Sequence, residues 1–378
     1  MAEIGQRVHE LARSGPRTSE DRDDDARLVV QTWLGTRLAM ALVAVWVMLT
    51  EGRNLDQVLG NWDVEHFRAI AAAGYADPVD IAFFPGWPLL LRLASGIGAP
   101  VIVVGTLLAL VASGFAAAAL YRIGGTATAI AWLLAPTAVF TAVPYTEAVF
   151  CAAAFWAWER ASARRWGAAA ALASVAASVR VSGVFLLVAL AVLAVTQDAA
   201  WRRRAARLAW LVLPALVVGA YAWYLYRLTG SWTSWYETQA AGWSRGFTWP
   251  WDSLRHTLEA VAPGAYADHP EWSWVFRAEI VSMAVGVLTT AACLTRRRWA
   301  EAVWVGVQVL AFSVSYWFMS VNRAVLLWFP WWQLVGRAAE GRRRRPAWHI
   351  GLVTVAVVAA VAVQLAWAWL FFTGRWAS

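Results

Sequence analysis

About eleven apolar runs divide this chain, and their lengths constrain its fold more than any other feature. A bilayer core of about 30 Å takes roughly 20 helical residues, and several runs reach that length. The pattern predicts an all-α, polytopic membrane protein of about eleven transmembrane segments. The runs are approximately 28–50, 99–121, 126–143, 146–158, 166–178, 183–196, 208–226, 276–294, 300–319, 324–336 and 347–372.

The amino-acid composition agrees with a membrane protein and gives the basic charge a topological meaning. Hydrophobic residues make up 60% of the chain and charged residues only 15%, which is too apolar for a soluble domain. The formal net charge of +8 comes from arginine alone, because the sequence contains no lysine. The arginines form clusters between apolar runs instead of one continuous stripe. This distribution excludes a nucleic-acid partner and indicates contact with membrane lipids.

The arginine clusters predict which loops face the cytoplasm. Residues 1–27 are polar and of mixed charge, which predicts a short cytoplasmic N-terminal tail instead of a secretory signal. The positive-inside rule assigns every basic cluster to the cytoplasmic side. Residues 28–378 then form a single transmembrane domain whose loops 51–98 and 227–275 are extracytoplasmic. The other cytoplasmic clusters are Arg160/Arg164/Arg165, Arg202/Arg203/Arg204/Arg207, Arg296/Arg297/Arg298, and Arg337 with Arg342/Arg343/Arg344/Arg345.

The first of these outer loops contains the stretch WDVEHFRAIAAAGY, which begins at Trp62. Helical spacing places Asp63 and His66 on adjacent turns, with an apolar stripe beside them. The stretch is therefore predicted to be a short helix lying along the membrane interface. An equally simple interpretation is that its charges are only solvated. The sequence AFFPGWP at residues 82–88 then predicts a rigid corner.

Further polar side chains fall on turns of the same outer side. Tyr145 and Glu147 occupy the turn at residues 144–147, Arg180 lies at the apex of a short hairpin, and Arg323 lies in the turn at residues 320–323. Ionisable groups near membrane depth usually face a polar cavity. Alternatively, Glu147 is an interfacial carboxylate that the helix dipole stabilises at a helix start. The two arginines would then be side chains that only extend to the interface.

This combination of residue types suits glycosyl transfer. A carboxylate can remove a proton from an alcohol, and an arginine can hold a departing phosphate with two hydrogen bonds. An outward-facing enzyme needs a lipid-linked phosphosugar as donor, because nucleotide sugars are cytoplasmic. No HExxH, CxxC or Gly-rich phosphate motif is present, so the sequence predicts no metal site.

The first loop and the following turn resemble the PIG-V mannosyltransferase family of the GT-C glycosyltransferase superfamily. The first motif of that family is similar to Trp62, Asp63, His66, Phe67, Ile70, Ala71, Gly74, Tyr75 and residues 82–88. Its second motif is similar to residues 144–150, and residues 180–183 and 320–330 resemble its later, weaker motifs.

The resemblance implies a GT-C-like fold and an inverting transfer of mannose from a polyprenyl- or dolichyl-phosphate donor to a lipid-linked or membrane-presented acceptor. Asp63 would then be the catalytic base, and His66, Tyr145 and Glu147 would shape the substrate site. Charge and topology add Arg180 and Arg323 as ligands of the donor phosphate. No cofactor is firmly implied, although some enzymes of this architecture use a divalent ion.

Two other functions fit the same residues. In a transporter or lipid flippase, charges within the membrane would line a substrate path, although the sequence has no duplicated halves. A related transferase could use another sugar, such as arabinose or glucose, on a polyprenyl phosphate. The family's eukaryotic members build GPI anchors, whereas the arginine-only, alanine-rich usage of this chain favours a GC-rich bacterial source.

Overall fold

The computed structural model describes residues 19–96, 98–197, 200–340 and 347–377. Every regular element in these ranges is helical, so the predicted all-α, polytopic membrane fold is confirmed. Within the described ranges, five helical stretches are long and apolar enough to cross a membrane: Glu20–Glu51, Val101–Gly124, Trp201–Thr229, Pro270–Thr295 and Trp348–Phe372. Residues 1–18 of the predicted tail and Arg342, Arg343, Arg344 and Arg345 lie outside the described residues.

Most of the predicted apolar runs correspond to a helix, although the run at 300–319 is helical only as far as Ser313. The first part of the chain contains α1 (Ser19–Glu51), α2 (Leu55–Leu59), α3 (Asp63–Ala73), α4 (Gly86–Ser95), α5 (Val101–Gly124), α6 (Thr126–Leu133), α7 (Glu147–Ser162), α8 (Trp166–Val179) and α9 (Ser182–Thr196). The second part contains α10 (Trp201–Trp210), α11 (Val212–Thr229), α12 (Ser234–Trp243), α13 (Pro250–Ala260), α14 (Pro270–Thr295), α15 (Trp299–Ser313), α16 (Val321–Ala324), α17 (Phe329–Glu340) and α18 (Ala347–Phe372).

Two predicted runs contain 3-10 helices in the structure, and the run at 208–226 is divided at Leu211 between α10 and α11. The run at 126–143 consists of α6 and a short 3-10 helix, Ala138–Thr141, with Pro136 between them. The run at 324–336 contains a 3-10 turn, Val325–Leu327, before α17 begins. Proline has no backbone N–H and clashes with the preceding helical turn, which explains the first break. These interruptions bring irregular backbone into the protein interior beside the polar groups described below.

The interior of the bundle is built largely from small side chains. Helix α7 packs against α5 on one side and against α8 on the other. Ala169, Ala170, Ala173 and Ala176 of α8 are almost completely buried. Small residues at helix interfaces let backbones approach closely, which is a common way to associate helices in a membrane. This packing holds the first residue of α7 and the last turn of α8 next to each other.

The loop at residues 51–98 folds into short helices and is fixed to the bundle at its end. Trp87 is fully buried and its indole N–H donates to the carbonyl oxygen of Pro144 at 3.0 Å. A Cβ atom on Gly86 would lie 2.7 Å from the backbone oxygen of Ser178, so only glycine allows this approach of α4 to the end of α8. The corner at residues 83–88 therefore joins the first loop to the turns that carry Tyr145 and Arg180.

The loop at residues 227–275 packs against the loop at residues 51–98. Trp235 and Gln239, both in α12, donate side-chain hydrogen bonds to the carbonyl oxygen of Ala82 at 3.1 and 3.0 Å. The Tyr221 hydroxyl of α11 donates to the carbonyl oxygen of Phe83 at 2.8 Å. These bonds place both loops at one end of the molecule, with cavities between them.

Candidate active site

Asp63 is the first residue of α3, and its backbone is fixed by the conformation of the preceding residue and by a hydrogen bond to its own N–H. The preceding residue, Trp62, has φ 59° and ψ −124°, a conformation that costs a residue with a side chain roughly 1–3 kcal/mol. The Asp63 backbone N–H donates to the Tyr145 hydroxyl at 3.1 Å. Tyr145 is itself almost completely buried. The strained turn and this hydrogen bond fix the direction in which the Asp63 carboxylate leaves the helix.

Arg323 connects the two predicted carboxylates. Its Nη1 donates to Asp63 Oδ2 at 2.9 Å, and its Nε donates to Glu147 Oε1 at 2.8 Å. The guanidinium carbon also lies 4.8 Å from the centre of the Tyr145 ring. Residues separated by as many as 260 positions in the chain therefore meet at one cation. The structure brings together Asp63, Tyr145, Glu147 and Arg323.

Glu147 is the centre of a buried ion-pair cluster. It is fully buried at the start of α7 and also pairs with Arg180, whose Nη1 donates to the neighbouring Thr146 hydroxyl at 2.7 Å. An isolated carboxylate at this depth would be very costly, and two arginines compensate it. Glu147 borders neither of the cavities described below, so its geometry is that of a residue that holds Arg180 and Arg323 in place.

A second buried carboxylate positions the short segment that carries Arg323. Glu279 of α14 is fully buried and accepts the backbone N–H groups of Ser320 at 2.9 Å and Asn322 at 3.0 Å. Ser320 has φ 65°, in the left-handed region that is uncommon for residues other than glycine. The Glu279 carboxylate thus stabilises an unfavourable turn immediately before α16.

We expect Glu279→Gln to lower the thermal stability of the purified protein. The amide nitrogen cannot accept a hydrogen bond, so one buried backbone N–H loses its partner at a cost of about 1–3 kcal/mol. The melting temperature of the detergent-solubilised protein measures this loss. Glu271→Gln, in the first turn of the same helix, is the matched control and should leave the melting temperature almost unchanged. Equal melting temperatures for the two variants would contradict a role for Glu279 in holding this turn.

His66 has a different partner from the one its helical spacing suggested. Its Nδ1 lies 2.8 Å from Oδ1 of Asp80, which is buried in the 3-10 helix Pro78–Ala82. The imidazole stacks on Phe83 with ring centres 4.8 Å apart. His66 therefore fixes the end of the first loop over α3, and it lines neither cavity.

The first cavity next to Asp63 has a volume of about 110 Å³ and a strongly basic wall. Arg180, Arg245 and Arg323 all line it, whereas Asp63 is its only acidic lining residue within the described chain. Burial and the nearby charges of Arg323 and Arg180 lower the pKa of Arg245 to about 10, so the side chain remains a cation at neutral pH. No carboxylate of the described residues pairs with Arg245. Such a cavity attracts an anion of phosphate size.

The second cavity also borders Asp63 and has a volume of about 320 Å³. Five tryptophans contribute to its wall, and Asp63, Trp243, Ser320 and Arg323 border both cavities. The tryptophans are Trp62, Trp243, Trp272, Trp317 and Trp376. Asp63 is therefore the carboxylate at the boundary between a basic chamber and an aromatic one.

The described residues contain no cluster of three or more His, Cys, Asp or Glu side chains that could hold a metal ion. Cys151 and Cys293 are separate, buried thiols.

Sequence reasoning missed Arg245, Asp80 and Glu279. Arg245 lies in the loop 227–275, which the arginine topology had placed on the same side as Asp63, so its position was the available signal. Asp80 and Glu279 carried no comparable signal, because a single carboxylate in a short turn or in an apolar helix has no diagnostic spacing.

Comparison with known proteins gives matches to one family. The family described as mannosyltransferase (PIG-V) matches residues 43–219. GPI alpha-1,6-mannosyltransferase 2 of Mus musculus is 33% identical over 148 residues, which cover 34% of this chain and 30% of the mouse protein. GPI mannosyltransferase 2 of Cryptococcus neoformans is 33% identical over 159 residues, covering 36% of this chain and 37% of the relative. The chain thus spans about a third of the length of these relatives. No solved structure matches it.

Proposed function

We propose that this chain, whose residues 43–219 match the family described as mannosyltransferase (PIG-V), transfers mannose from a polyprenyl-phosphate-linked donor to a lipid-linked or membrane-presented acceptor. The reaction takes place at the extracytoplasmic side of the cell membrane, with Asp63 as general base. The observation that carries this proposal is the position of Asp63 at the edge of a cavity lined by three arginines.

The proposed reaction is a substitution at C1 of mannose. The acceptor hydroxyl gives its proton to the Asp63 carboxylate and its oxygen forms a bond to C1 of mannose. The bond between C1 and the phosphate oxygen breaks, and the bonding electrons leave with the polyprenyl phosphate. Attack and departure occur on opposite faces of C1, so the configuration inverts. Proton removal of this kind typically contributes 10²–10⁴-fold to the rate.

The arginines support the departing group. The phosphate gains negative charge as the C1–O bond breaks, and fixed cations stabilise charge that develops in the transition state. Arg323 and Arg180 are held in place by Glu147, whereas Arg245 has no described carboxylate partner. We therefore assign the most direct phosphate contact to Arg245.

The depth of Arg180 favours a lipid-linked donor. Helix α8 has 14 residues, a length of about 21 Å, which is shorter than the ~30 Å hydrocarbon core. Arg180 ends this helix, so it lies below the outer surface if the helix begins at the opposite interface. A phosphate attached to a membrane-embedded prenyl chain reaches this depth more readily than a water-soluble nucleotide sugar.

Arg245→Gln is expected to raise the donor KM by about tenfold or more, because a charge-assisted hydrogen bond to phosphate is worth roughly 1.5–3 kcal/mol. The measurement is transfer of radiolabelled mannose from polyprenyl-phosphate-mannose by the purified protein in lipid. Arg255→Gln is the matched control, since Arg255 lies in the same outer loop, is exposed and pairs with Asp252. Transfer from GDP-mannose alone, with none from the lipid-linked donor, would contradict the proposed donor.

The proposed sidedness predicts the result of reporter fusions. Alkaline phosphatase fused after Arg204 should be inactive, because the positive-inside rule places this cluster in the cytoplasm. The same enzyme fused after Asp252 should be active outside the cytoplasm. The reverse pattern would contradict the extracytoplasmic location of the site.

A further inference from the structure

The aromatic cavity has no role in the chemistry described so far, although it directly adjoins the proposed base. Its walls come from separated parts of the chain: Trp62 precedes α3, Trp243 ends α12, Trp272 lies in the first turn of α14, Trp317 follows α15 and Trp376 follows α18. Assembly of five tryptophans from five segments requires the complete tertiary fold. A chance cluster of tryptophans along one helix would not require the complete fold.

The rings support one another and form a rigid wall. Phe276 lies at the centre of the packing, with its ring centre 4.9 Å from that of Trp376 and 5.0 Å from that of Trp317. Trp272 contacts Trp376 edge-on at 5.7 Å. The Trp62 indole N–H donates to the backbone oxygen of Arg375 at 3.3 Å. A cavity with such a pre-formed aromatic wall is ready to bind a flat apolar surface without reorganisation.

The polar groups of the cavity are concentrated near the base. Asp63 and Arg323 are its only charged lining residues among those described, and Ser320 and Ser244 add hydroxyl groups. A pyranose ring matches this distribution, because it has an apolar C–H face and a rim of hydroxyl groups. Stacking of the C–H face on indole would direct one hydroxyl toward Asp63. The volume of about 320 Å³ is at the lower end of the range for small-ligand sites.

The location argues against the prenyl chain of the donor as occupant. The residues of the wall lie where α3, α14 and α18 begin or end, and not along the flanks of these helices. Helix ends in a membrane protein lie toward the interfaces, where tryptophan is also enriched. A prenyl chain would instead lie along apolar helix flanks.

We propose that this aromatic cavity binds the terminal hexopyranose of the acceptor, with its reacting hydroxyl directed to Asp63. The proposal rests on the proposed transferase function and adds the location and chemical class of the acceptor site. Trp272 and Trp376 form the stacking surface, and the basic cavity, which shares Asp63 with the aromatic one, takes the donor phosphate. Donor and acceptor therefore occupy two different cavities that both border the base.

The test measures sugar binding separately from catalysis. Methyl α-D-mannopyranoside is the probe, and saturation-transfer-difference NMR on the protein in lipid nanodiscs measures its affinity. The wild type should transfer saturation to the sugar ring protons with a Kd on the order of 1 mM. Trp272→Ala and Trp376→Ala should each weaken binding by about tenfold, equivalent to about 1.4 kcal/mol. The ring-preserving Trp272→Phe and Trp376→Phe should largely restore it.

The matched control is Trp274→Ala. Trp274 lies two residues from Trp272 on α14 but is 68% exposed and outside the cavity. Its replacement should leave the affinity unchanged. The proposal would be overturned if the wild-type protein transferred no saturation to the sugar at concentrations up to roughly 50 mM. It would also be overturned if Trp272→Ala, Trp376→Ala and Trp274→Ala had equal affinities.

Photolabelling gives an independent outcome. A diazirine-bearing farnesyl phosphate should not label Trp272 or Trp376, and labelling at these positions would assign the cavity to the prenyl chain and overturn the proposal. If the sugar binds with the expected pattern among the variants but no mannose is transferred, the transferase function is excluded and the cavity is still a hexose-binding site. Normal transfer without sugar binding in this cavity would remove only the acceptor site.

Discussion

Asp63→Asn is expected to reduce mannosyl transfer by roughly 10²–10⁴-fold while the protein folds and binds its donor. The amide keeps the size of the side chain, and its oxygen can still accept the hydrogen bond from Arg323. It cannot take a proton from the acceptor hydroxyl at neutral pH. The defect should therefore appear in kcat, with little change in the donor KM.

The assay uses purified protein in lipid with radiolabelled polyprenyl-phosphate-mannose and an extract of membrane lipids as acceptor. Glu65→Gln is the matched control, because Glu65 is an exposed carboxylate on the same helix, two residues after Asp63. It should retain the wild-type rate. Undiminished transfer by Asp63→Asn would exclude Asp63 as the base.

Glu147→Gln is expected to destabilise the protein and also to reduce transfer strongly. Glu147 compensates Arg180 and Arg323 at a fully buried position. Breaking a buried ion pair by removing one partner typically costs about 3–5 kcal/mol. Arg323 would also lose its anchor and with it a fixed position against Asp63. The melting temperature and the transfer rate should therefore fall together.

Asp56→Asn provides the comparison with an exposed pair. Asp56 binds Arg68 at 2.8 Å, with both side chains at least 40% exposed, so its loss should cost about 1 kcal/mol or less. Adding Arg180→Gln to Glu147→Gln should recover part of the stability, since it removes one of the uncompensated cations. A melting temperature for Glu147→Gln equal to that of Asp56→Asn would contradict the central role of Glu147.

The sequence predicted most helices because apolar runs in a membrane protein leave few other conformations. The bounds of α8 and α9, Trp166–Val179 and Ser182–Thr196, differ by one residue at most from the predicted runs. The break in the run at 126–143 was not foreseen, although Pro136 was visible in it. The exact number of membrane crossings stays a prediction, since three apolar helices have only 14 or 15 residues.

The candidate site was predictable where topology and residue type agreed. Tyr145, Glu147, Arg180 and Arg323 all lay on predicted outer turns, and the structure places them around Asp63 or next to one another. Asp63 and His66 lie on one helix, α3, as their spacing predicted, but the spacing could not reveal that Asp80 lies 2.8 Å from the imidazole. The aromatic cavity was also beyond prediction, because its walls come from five segments and depend on the tertiary packing.

The two cavities beside Asp63 draw on different parts of the chain. Asp63, Glu147 and Arg180 lie within the family-matched residues 43–219, whereas Arg245, Arg323 and four of the five cavity tryptophans come after residue 219. Substitutions in the later part can therefore reshape the aromatic wall without touching the carboxylate that we assign to proton removal. If the aromatic cavity takes the acceptor as we propose, the choice of acceptor can diverge between relatives while the proposed base stays within the family-matched segment.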